Sequence, residues 1–193
     1  GVAVVEKNKT VRASATQSGA TWGLDRSDQK DLPLNGTYSY NATGAGVTAF
    51  IIDTGVRASH SEFRGRIDPG VTAVDDGRGS SDCNGHGTHV AGTTAGSRYG
   101  VAKGADVVPV RVLGCDGTGS TAGIVAGMDW VSSNANGPSV ANMSLGGDVS
   151  AAMDNAIARM SRAGVVPLVA AGNDYANACY YSPARASSAT TVG

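Results

Sequence analysis

The sequence predicts an α/β fold built around a mostly parallel β-sheet, and two observations support this prediction. From Thr43 onward, apolar runs rich in β-branched residues alternate with longer segments of helical periodicity, which is typical of β-α-β units. The runs are also continuously apolar, as expected for strands that are covered on both faces. These runs are Val47–Ile52, Val107–Val112, Val140–Met143 and Val165–Ala170.

Three segments between the runs are predicted to be helices. His86–Gly96 is rich in small residues, and Ser120–Asn134 carries apolar residues along one side. Ser150–Ala163 has apolar residues in helical register, and Gly164 follows it as a stop signal. The region Ala15–Asn41 is different, because it is polar and rich in turn-forming residues.

Length and charge limit the classes of function. The 193 residues suit one domain with its own hydrophobic core. The 15 basic and 16 acidic side chains, with a net formal charge of −1, do not indicate the basic patch that nucleic-acid binding requires. The longest apolar stretches have the length of strands and are too short to span a bilayer. We therefore expect neither a nucleic-acid partner nor a membrane partner.

The three cysteines, Cys83, Cys115 and Cys179, leave two interpretations open. They are either reduced, buried thiols or, in an exported protein, one disulfide bridge plus a cysteine whose partner is missing. Gly1–Thr10 lacks the basic start and the apolar centre of a signal peptide. Either the protein is cytosolic or its start has been removed.

Two titratable residues are candidates for catalysis. Asp53 directly follows a predicted buried strand, so it lies at the carboxyl end of the sheet, where open α/β folds place their sites. The alternative for Asp53 is a turn-forming residue that ends the strand. His86 opens a predicted helix, where the positive end of the helix dipole disfavours the imidazolium form, so a nearby carboxylate would help a histidine that must accept a proton. The alternative for His86 is a helix-capping role.

Two polar segments at other strand ends extend this pattern. Asn173 follows the predicted strand that ends at Ala170, and its amide could donate to a developing oxyanion or simply form a turn. Asn142–Gly147 is a strand that runs into glycines, so its edge is open. An extended peptide can add to such an edge as a further strand.

A metal site is a competing interpretation of the region around His86. Cys83, His86 and His89 have a spacing like that of metal ligands. The three side chains would have to converge from a loop and a helix start, and no second ligand pair or general-base glutamate accompanies them, as zinc hydrolase motifs require.

Several motifs occur in a fixed order along the chain. They are Asp-Thr-Gly at 53–55, His-Gly-Thr-His-Val-Ala-Gly at 86–92, Asn-Met-Ser-Leu-Gly-Gly at 142–147 and Ala-Ala-Gly-Asn at 170–173. This order and spacing resemble the subtilisin superfamily, and within it the proteinase K and aqualysin-like branch. Trp22–Arg26 and Tyr181–Arg185 add to the resemblance, which extends from Ala15 to Gly193.

The resemblance implies a three-layer αβα fold and a serine endopeptidase that acts on extended polypeptides. It implies that Asp53 orients the imidazole, that His86 is general base and then general acid, and that Asn173 donates to the oxyanion. It also implies two backbone segments that clamp a substrate strand, and a wall of the pocket for the residue before the scissile bond. The segments are Gly117, Thr118 and Gly119 together with Ser144, Leu145 and Gly146, and the wall is Ala170, Ala171 and Gly172. His89 is expected to be buried and structural.

The chain departs from the family pattern in two places. The family's nucleophile lies in a Gly-Thr-Ser-Met-Ala motif that does not occur here. We therefore expect a fold that is incomplete at its C-terminus and a fragment that is inactive alone. Residues 1–14 resemble the end of an inhibitory propeptide, which would act as an intramolecular inhibitor. Residues 15–193 would then form the N-terminal two-thirds of the catalytic domain.

The same resemblance implies a secreted, extracellular monomer that is made as a zymogen. Cys83 and Cys115 match a bridged pair of aqualysin-like enzymes, and the partner of Cys179 would lie beyond Gly193. Three further residues resemble a structural calcium site, with the oxygen ligands that this ion prefers. They are Asp25, Asp28 and Gln29. A solvated, turn-rich surface is the alternative there, and no organic cofactor is expected.

Two further functions compete with the peptidase. A non-catalytic module of the same fold would keep the peptide-binding edge but lack the nucleophile. A metalloprotein would be built on Cys83, His86 and His89.

Overall fold

Residues 15–193 are described by the structure, a computed structural model, and they belong to two units of the chain. The first unit ends at Thr43, and the second runs from Gly44 to Gly193. The propeptide end expected at residues 1–14 lies outside the described residues.

The first unit contains a two-stranded antiparallel sheet and one short helix. β1 (Ala15–Ser18) pairs with β2 (Thr37–Tyr40), and α1 (Trp22–Asp28) lies between them in the sequence. Leu24 and Tyr38 are its buried apolar side chains. Because so few apolar residues occur here, the sequence pattern indicated turns and missed these elements.

The second unit is built on a six-stranded sheet in which every neighbouring pair of strands is parallel, and this confirms the predicted α/β class. The strands of this sheet are β3 (Thr48–Asp53), β4 (Val71–Thr72), β5 (Asp106–Arg111), β6 (Ser139–Met143), β8 (Val165–Ala170) and β10 (Thr190–Val192). A separate antiparallel pair joins β7 (Gly147–Asp148) to β9 (Tyr181–Ser182). The order across the large sheet is β10-β8-β6-β3-β5-β4.

Three helices of this unit lie where the sequence predicts them. They are α2 (His86–Ala95), α3 (Thr121–Asn134) and α4 (Ala151–Arg162), and two short 3-10 helices cover Ser61–Phe63 and Ala178–Tyr180. α3 and α4 begin one residue after the predicted start, because Ser120 and Ser150 are N-caps whose hydroxyls accept backbone N–H bonds. No helix within residues 15–193 is long and apolar enough to cross a membrane.

The alternation of side chains along β3 separates two apolar clusters. Phe50 and Ile52 belong to the larger cluster with the apolar sides of α3 and α4. Ala49 and Ile51 point to the opposite face, where they pack with Ala91 of α2. The sheet therefore lies between one helix layer and another, and the arrangement is the expected αβα sandwich.

One expectation about the strands was wrong. β6 and β8 are not covered along both faces, since their buried residues alternate with partly exposed ones and Val166 of β8 is 51% exposed. On this face of the sheet α2 contacts β3 and β5. The continuous apolar pattern of β8 thus does not correspond to continuous burial in residues 15–193.

The strand order reverses next to β3. The chain places β4 and β5 on one side of β3 and then adds β6, β8 and β10 on the other. In open α/β folds, ligand sites lie at such a reversal, outside the carboxyl ends of the strands. Asp53 is the last residue of β3 and therefore lies at this position.

Close packing of α3 against β5 yields a test of the fold. A Cβ at Gly127 would lie 2.5 Å from Val112 Cγ1 and 3.0 Å from Val110 Cγ1. We expect Gly127→Ala to lower the free energy of unfolding by about 1–3 kcal/mol, because a tightly packed core does not accept an extra methyl group. Urea denaturation measures the change.

The matched control is Gly92→Ala, which also adds a methyl group to a helix. A Cβ at Gly92 meets no heavy atom within 4 Å. Because alanine has the better helix propensity, this variant should be unchanged or more stable by up to about 1 kcal/mol. Equal stability of both variants would contradict the packing described for α3.

Candidate active site

Asp53 is a fully buried carboxylate at the end of β3. It lies two positions after Ile51, so its side chain points to the face of the sheet that α2 covers. Its Oδ1 accepts the backbone N–H of Thr54 at 2.7 Å. Its carbonyl oxygen accepts the N–H groups of Val112 and Leu113, which follow β5, so the strand end is firmly held.

His86 is the first residue of α2 and lies directly against this carboxylate. Its Nδ1 is 2.7 Å from Asp53 Oδ1 and 2.9 Å from Oδ2. An ionised carboxylate only accepts hydrogen bonds, so Nδ1 carries the hydrogen and Nε2 of the neutral ring is left as a proton acceptor. The imidazole side chain is 46% exposed, so it is accessible from solvent.

The close approach of α2 to β3 requires glycine after the histidine. Gly87 is buried, and a Cβ there would lie 2.2 Å from the carbonyl oxygen of Gly55 and 3.1 Å from Asp53 Oδ1. Any side chain at this position would push the start of α2, and the imidazole with it, away from the carboxylate.

Two cavities lie on either side of a short segment after β6. The first, of about 410 Å³, contains His86 together with Gly117, Thr118, Gly119, Ser144, Leu145 and Gly146. The second, of about 380 Å³, shares Ser144, Leu145 and Gly146 and adds Ala170, Ala171, Gly172 and Asn173. Of the residues that the sequence selects for substrate binding, Gly117–Gly119 and Ser144–Gly146 thus share a cavity with His86, whereas Ala170–Gly172 line the adjoining cavity.

Asn173 lines the second cavity, just beyond β8. Gly172 before it has a φ of +106°, which favours glycine because a Cβ is disfavoured there. The turn exposes the Asn173 side chain to solvent. Asn173 does not line the cavity that contains His86.

Sequence reasoning missed several lining residues. The first cavity also contains Thr54, Asn84, Leu113 and Ile124, and the second contains Gly147, Asp148, Asp174, Tyr181 and Ala184. Some of them could have been found from their place in the sequence. Thr54 and Leu113 follow the ends of β3 and β5, and sites in open α/β folds lie at the carboxyl ends of the strands.

The expectation that His89 is buried was wrong, because His89 is exposed. The buried residues of α2 are Gly87, Ala91 and Ala95, which lie four apart along one stripe of the helix. His89 follows Gly87 by two residues, so it lies roughly 200° away from that stripe. It therefore faces away from the core.

The proposed metal ligands Cys83, His86 and His89 do not form a site. Cys83 is bonded to Cys115 in a disulfide, and Nδ1 of His86 is taken by Asp53. Within residues 15–193 the one group with metal-like spacing is Asp76, Cys83 and Cys115, and its two sulfurs are in that disulfide. Cys179 is a free, exposed thiol.

Arg111 is a fully buried cation at the end of β5, next to Asp53 in the strand register. Its guanidinium binds both carboxylate oxygens of Asp76, at 2.8 and 2.6 Å, and one of its nitrogens lies 3.4 Å from Cys83 Sγ. The hydrogen bonds from Arg111 lower the pKa of Asp76 to about 2 from its ordinary value of 3.8. This ion pair supports the turn that carries the disulfide.

The sequence is similar to those of known proteins. A model of the subtilase family matches residues 44–193. An extracellular serine proteinase of Thermus sp. (strain Rt41A) is 57% identical over 192 residues, which is 100% of this chain and 47% of that protein. The alkaline serine exoprotease A of Vibrio alginolyticus is 56% identical over 190 residues, covering 98% of this chain and 36% of that protein.

The fold has a similar relative among solved structures. The crystal structure of a cold-adapted subtilisin-like serine proteinase matches with a TM-score of 0.89 and 57% identity, over 91% of this chain and 64% of that one. The chain spans less than half the length of the two curated relatives, the Thermus proteinase and the Vibrio exoprotease.

The pair of Arg111 and Asp76 predicts a specific acid sensitivity. Because the pKa of Asp76 is lower in the folded protein than in the unfolded chain, ionised Asp76 stabilises the fold above about pH 4, and this contribution is lost as the pH falls towards 2. In Asp76→Asn, melting temperatures should be lower at pH 7, because Arg111 loses its partner, and should fall less steeply between pH 4 and pH 2.

Melting curves of both proteins across that pH range measure the effect. Asp129→Asn is the control, since Asp129 pairs with the partly exposed Arg159. Parallel curves for Asp76→Asn and the unaltered protein would contradict the role of this ion pair.

Proposed function

The chain belongs to the subtilase family, and from this premise we propose that the whole protein is a secreted serine endopeptidase with an Asp-His-Ser triad. The single observation that carries the proposal is the hydrogen-bonded pair of buried Asp53 and accessible His86 at the edge of a two-cavity groove. His86 Nε2 takes the proton of the nucleophile and later returns it to the leaving amine. Asp53 holds the ring in the required tautomer and stabilises its charged form.

The nucleophile is proposed to lie in a Gly-Thr-Ser motif that residues 1–193 do not contain. Among the described residues, no serine hydroxyl hydrogen-bonds to His86. Ser144 lines the groove, but its Oγ accepts a hydrogen bond from Asn142 Nδ2. The much greater length of the relatives is consistent with a further segment that supplies the serine. Without it, residues 1–193 would not carry out acyl transfer.

The groove is proposed to bind an extended polypeptide. Backbone groups of Gly117–Gly119 and Ser144–Gly146 border the first cavity and can pair with a substrate strand from both sides. Ala170–Gly172 is a low wall of the second cavity, which we assign to the residue before the scissile bond. Asn173 on the same cavity would donate its amide to the oxyanion.

The disulfide and the similar proteins both support a location outside the cell. The Cys83–Cys115 disulfide suits an oxidising environment, and a similar protein is named an extracellular serine proteinase. We propose secretion, a monomeric state, and a zymogen in which residues 1–14 end the inhibitory propeptide.

A structural calcium ion is proposed for the first unit, at Asp25, Asp28 and Gln29. Backbone N–H groups of Asn35 and Gly36 already donate to the Asp25 carboxylate, at 3.3 and 2.6 Å. Gln29 carries the observation that fits a cation, because its Oε1 is buried without a hydrogen-bond donor. Its Nε2 donates to backbone carbonyls and fixes the amide. Carboxylate and amide oxygens are ligands that calcium prefers.

The triad assignment predicts an ordered loss of turnover in the full-length protein. Asp53→Asn should lower kcat on the order of ten-thousand-fold, because the wrong imidazole tautomer is favoured, and His86→Ala should be at least as damaging. Asn173→Ala should cost roughly a hundred- to a thousand-fold through loss of one oxyanion donor. Active-site-titrated turnover of a chromogenic peptide measures all three.

His89→Ala is the control, because His89 is an exposed residue of the same helix. Its kcat should match that of the unaltered protein. An unaltered full-length protein that binds extended peptides without cleaving them would instead support the non-catalytic binding module. Equal losses for His86→Ala and His89→Ala would contradict the triad.

The calcium proposal predicts a melting temperature that depends on the ion. Saturating calcium at about 100 times its Kd should stabilise the protein by about 2.7 kcal/mol relative to a chelator. In Gln29→Ala and Asp28→Asn this increment should shrink, because a ligand oxygen is lost. Asp129→Asn, in the second unit, should keep the full increment. An unchanged increment in Gln29→Ala would contradict a calcium site at these residues.

A further inference from the structure

We propose that Asp82 is a positioning residue for the Asp53–His86 pair, since its carboxylate joins the turn before α2 to the end of β3. The inference rests on the proposed function, because it assigns a role within that site. Asp82 lies four residues before His86 and is only partly exposed.

The start of α2 needs an outside partner. Its N-cap, Gly85, has a φ of +104° and no side chain with which to cap the helix. The first backbone N–H groups of a helix have no acceptor within the helix itself. Here Gly87 N–H donates to Thr54 Oγ1 at 2.9 Å, and Thr88 N–H donates to Asp82 Oδ2 at 3.0 Å.

Asp82 accepts hydrogen bonds on both carboxylate oxygens. Oδ1 accepts from the N–H groups of Asn84 and Gly85 and from the Thr54 hydroxyl, each at 2.9 Å. Oδ2 accepts from the N–H of Thr88 and from its hydroxyl, the latter at 2.5 Å. Burial raises the pKa of this carboxyl, but hydrogen bonds from Gly85, Thr88 and Asn84 outweigh it, so the pKa is lowered.

The direction of each hydroxyl bond is fixed. Thr54 Oγ1 already accepts from Gly87 N–H, and Thr88 Oγ1 already accepts from Arg57 N–H at 2.9 Å. Each hydroxyl hydrogen is therefore free to point to Asp82. Both oxygens of residue 82 thus act only as acceptors, a requirement that a carboxylate meets and a carboxamide does not.

This network connects Asp53 and His86 through residues that do not lie between them. Thr54 follows Asp53 directly and donates its N–H to Asp53 Oδ1, while its hydroxyl contacts Asp82. On the other side, Asp82 holds the turn from which His86 emerges, and Asn84 Oδ1 in that turn accepts the His86 N–H at 3.2 Å. Loss of Asp82 would remove one of the links between the strand end and the helix start, and the Gly87–Thr54 bond and the Asp53–His86 pair would have to hold them alone.

Two variants of the full-length protein test the role. Asp82→Asn keeps the shape but turns an NH2 group towards a donor, and Asp82→Ala removes every bond. We expect kcat to fall roughly ten- to a hundred-fold, because a displacement of about 1 Å in a catalytic group has an effect of this size. KM should change little, since Asp82 does not line either cavity.

Glu62→Ala is the matched control. Glu62 is a buried carboxylate whose Oε2 accepts the N–H groups of Arg98 and Tyr99, just beyond the other end of α2. It should lower the melting temperature as Asp82→Ala does, yet leave kcat unchanged. Equal losses of kcat in both variants at similar loss of stability would reduce Asp82 to a general stabilising residue and overturn the proposal.

A second readout does not require peptidase activity. Imidazole ¹⁵N chemical shifts of His86 report which ring nitrogen carries the hydrogen, and Asp82→Asn should shift the population away from the Nδ1–H form while Glu62→Ala should not. Unchanged ¹⁵N shifts in folded Asp82→Asn would overturn the positioning role. If the unaltered protein cleaves no peptide, the proposed function fails, and the ¹⁵N shifts still decide whether Asp82 holds the pair.

Discussion

A carboxylate that is fully buried at the end of a strand must have its oxygens hydrogen-bonded, and Asp53 imposes this requirement at the centre of the sheet. The N–H of Thr54 and Nδ1 of His86 satisfy it at 2.7–2.9 Å. Because the imidazole has to come so close, the first turn of α2 lies in contact with the end of β3. Only glycine fits at position 87 for that reason. The hydrogen-bonded pair therefore goes with a close approach of the first turn of α2 to the end of β3.

The same constraint affects the groove beside His86. Cys83 lies shortly before His86, and Cys115 lies shortly before Gly117, so the disulfide joins the segment that leads to His86 to the segment that borders the first cavity. Asn84 adds a second link, because its Nδ2 donates to the carbonyl oxygen of Cys115 at 3.0 Å. A displacement of α2 would thus move the groove edge with it. The geometry of the pair and that of the groove are not independent.

Sequence reasoning was accurate where periodicity and strand ends carry the information. The helix over Ser150–Ala163 was predicted to within a residue at each end, since its apolar spacing and its Gly164 stop are both local signals. The wrong predictions concern burial, which depends on three-dimensional packing. His89 shares a motif with His86 but lies on the exposed side of α2. Val166 belongs to an apolar run, yet it faces a part of the sheet that no element of residues 15–193 covers. Burial on a face depends on which element covers it, and a single run of residues does not contain that information.

Arg111 shows why the electrostatics of the site extend beyond the pair itself. It is the register partner of Asp53 on the neighbouring strand, and its side chain is fully buried. A buried guanidinium needs a carboxylate, and a bond to Asp53 would compete with His86 for the same oxygens. Asp76 instead occupies both terminal nitrogens of Arg111, which keeps that cation engaged and leaves Asp53 Oδ1 and Oδ2 to the imidazole. The carboxylate that neutralises the buried cation is thus a different one from the carboxylate that contacts His86.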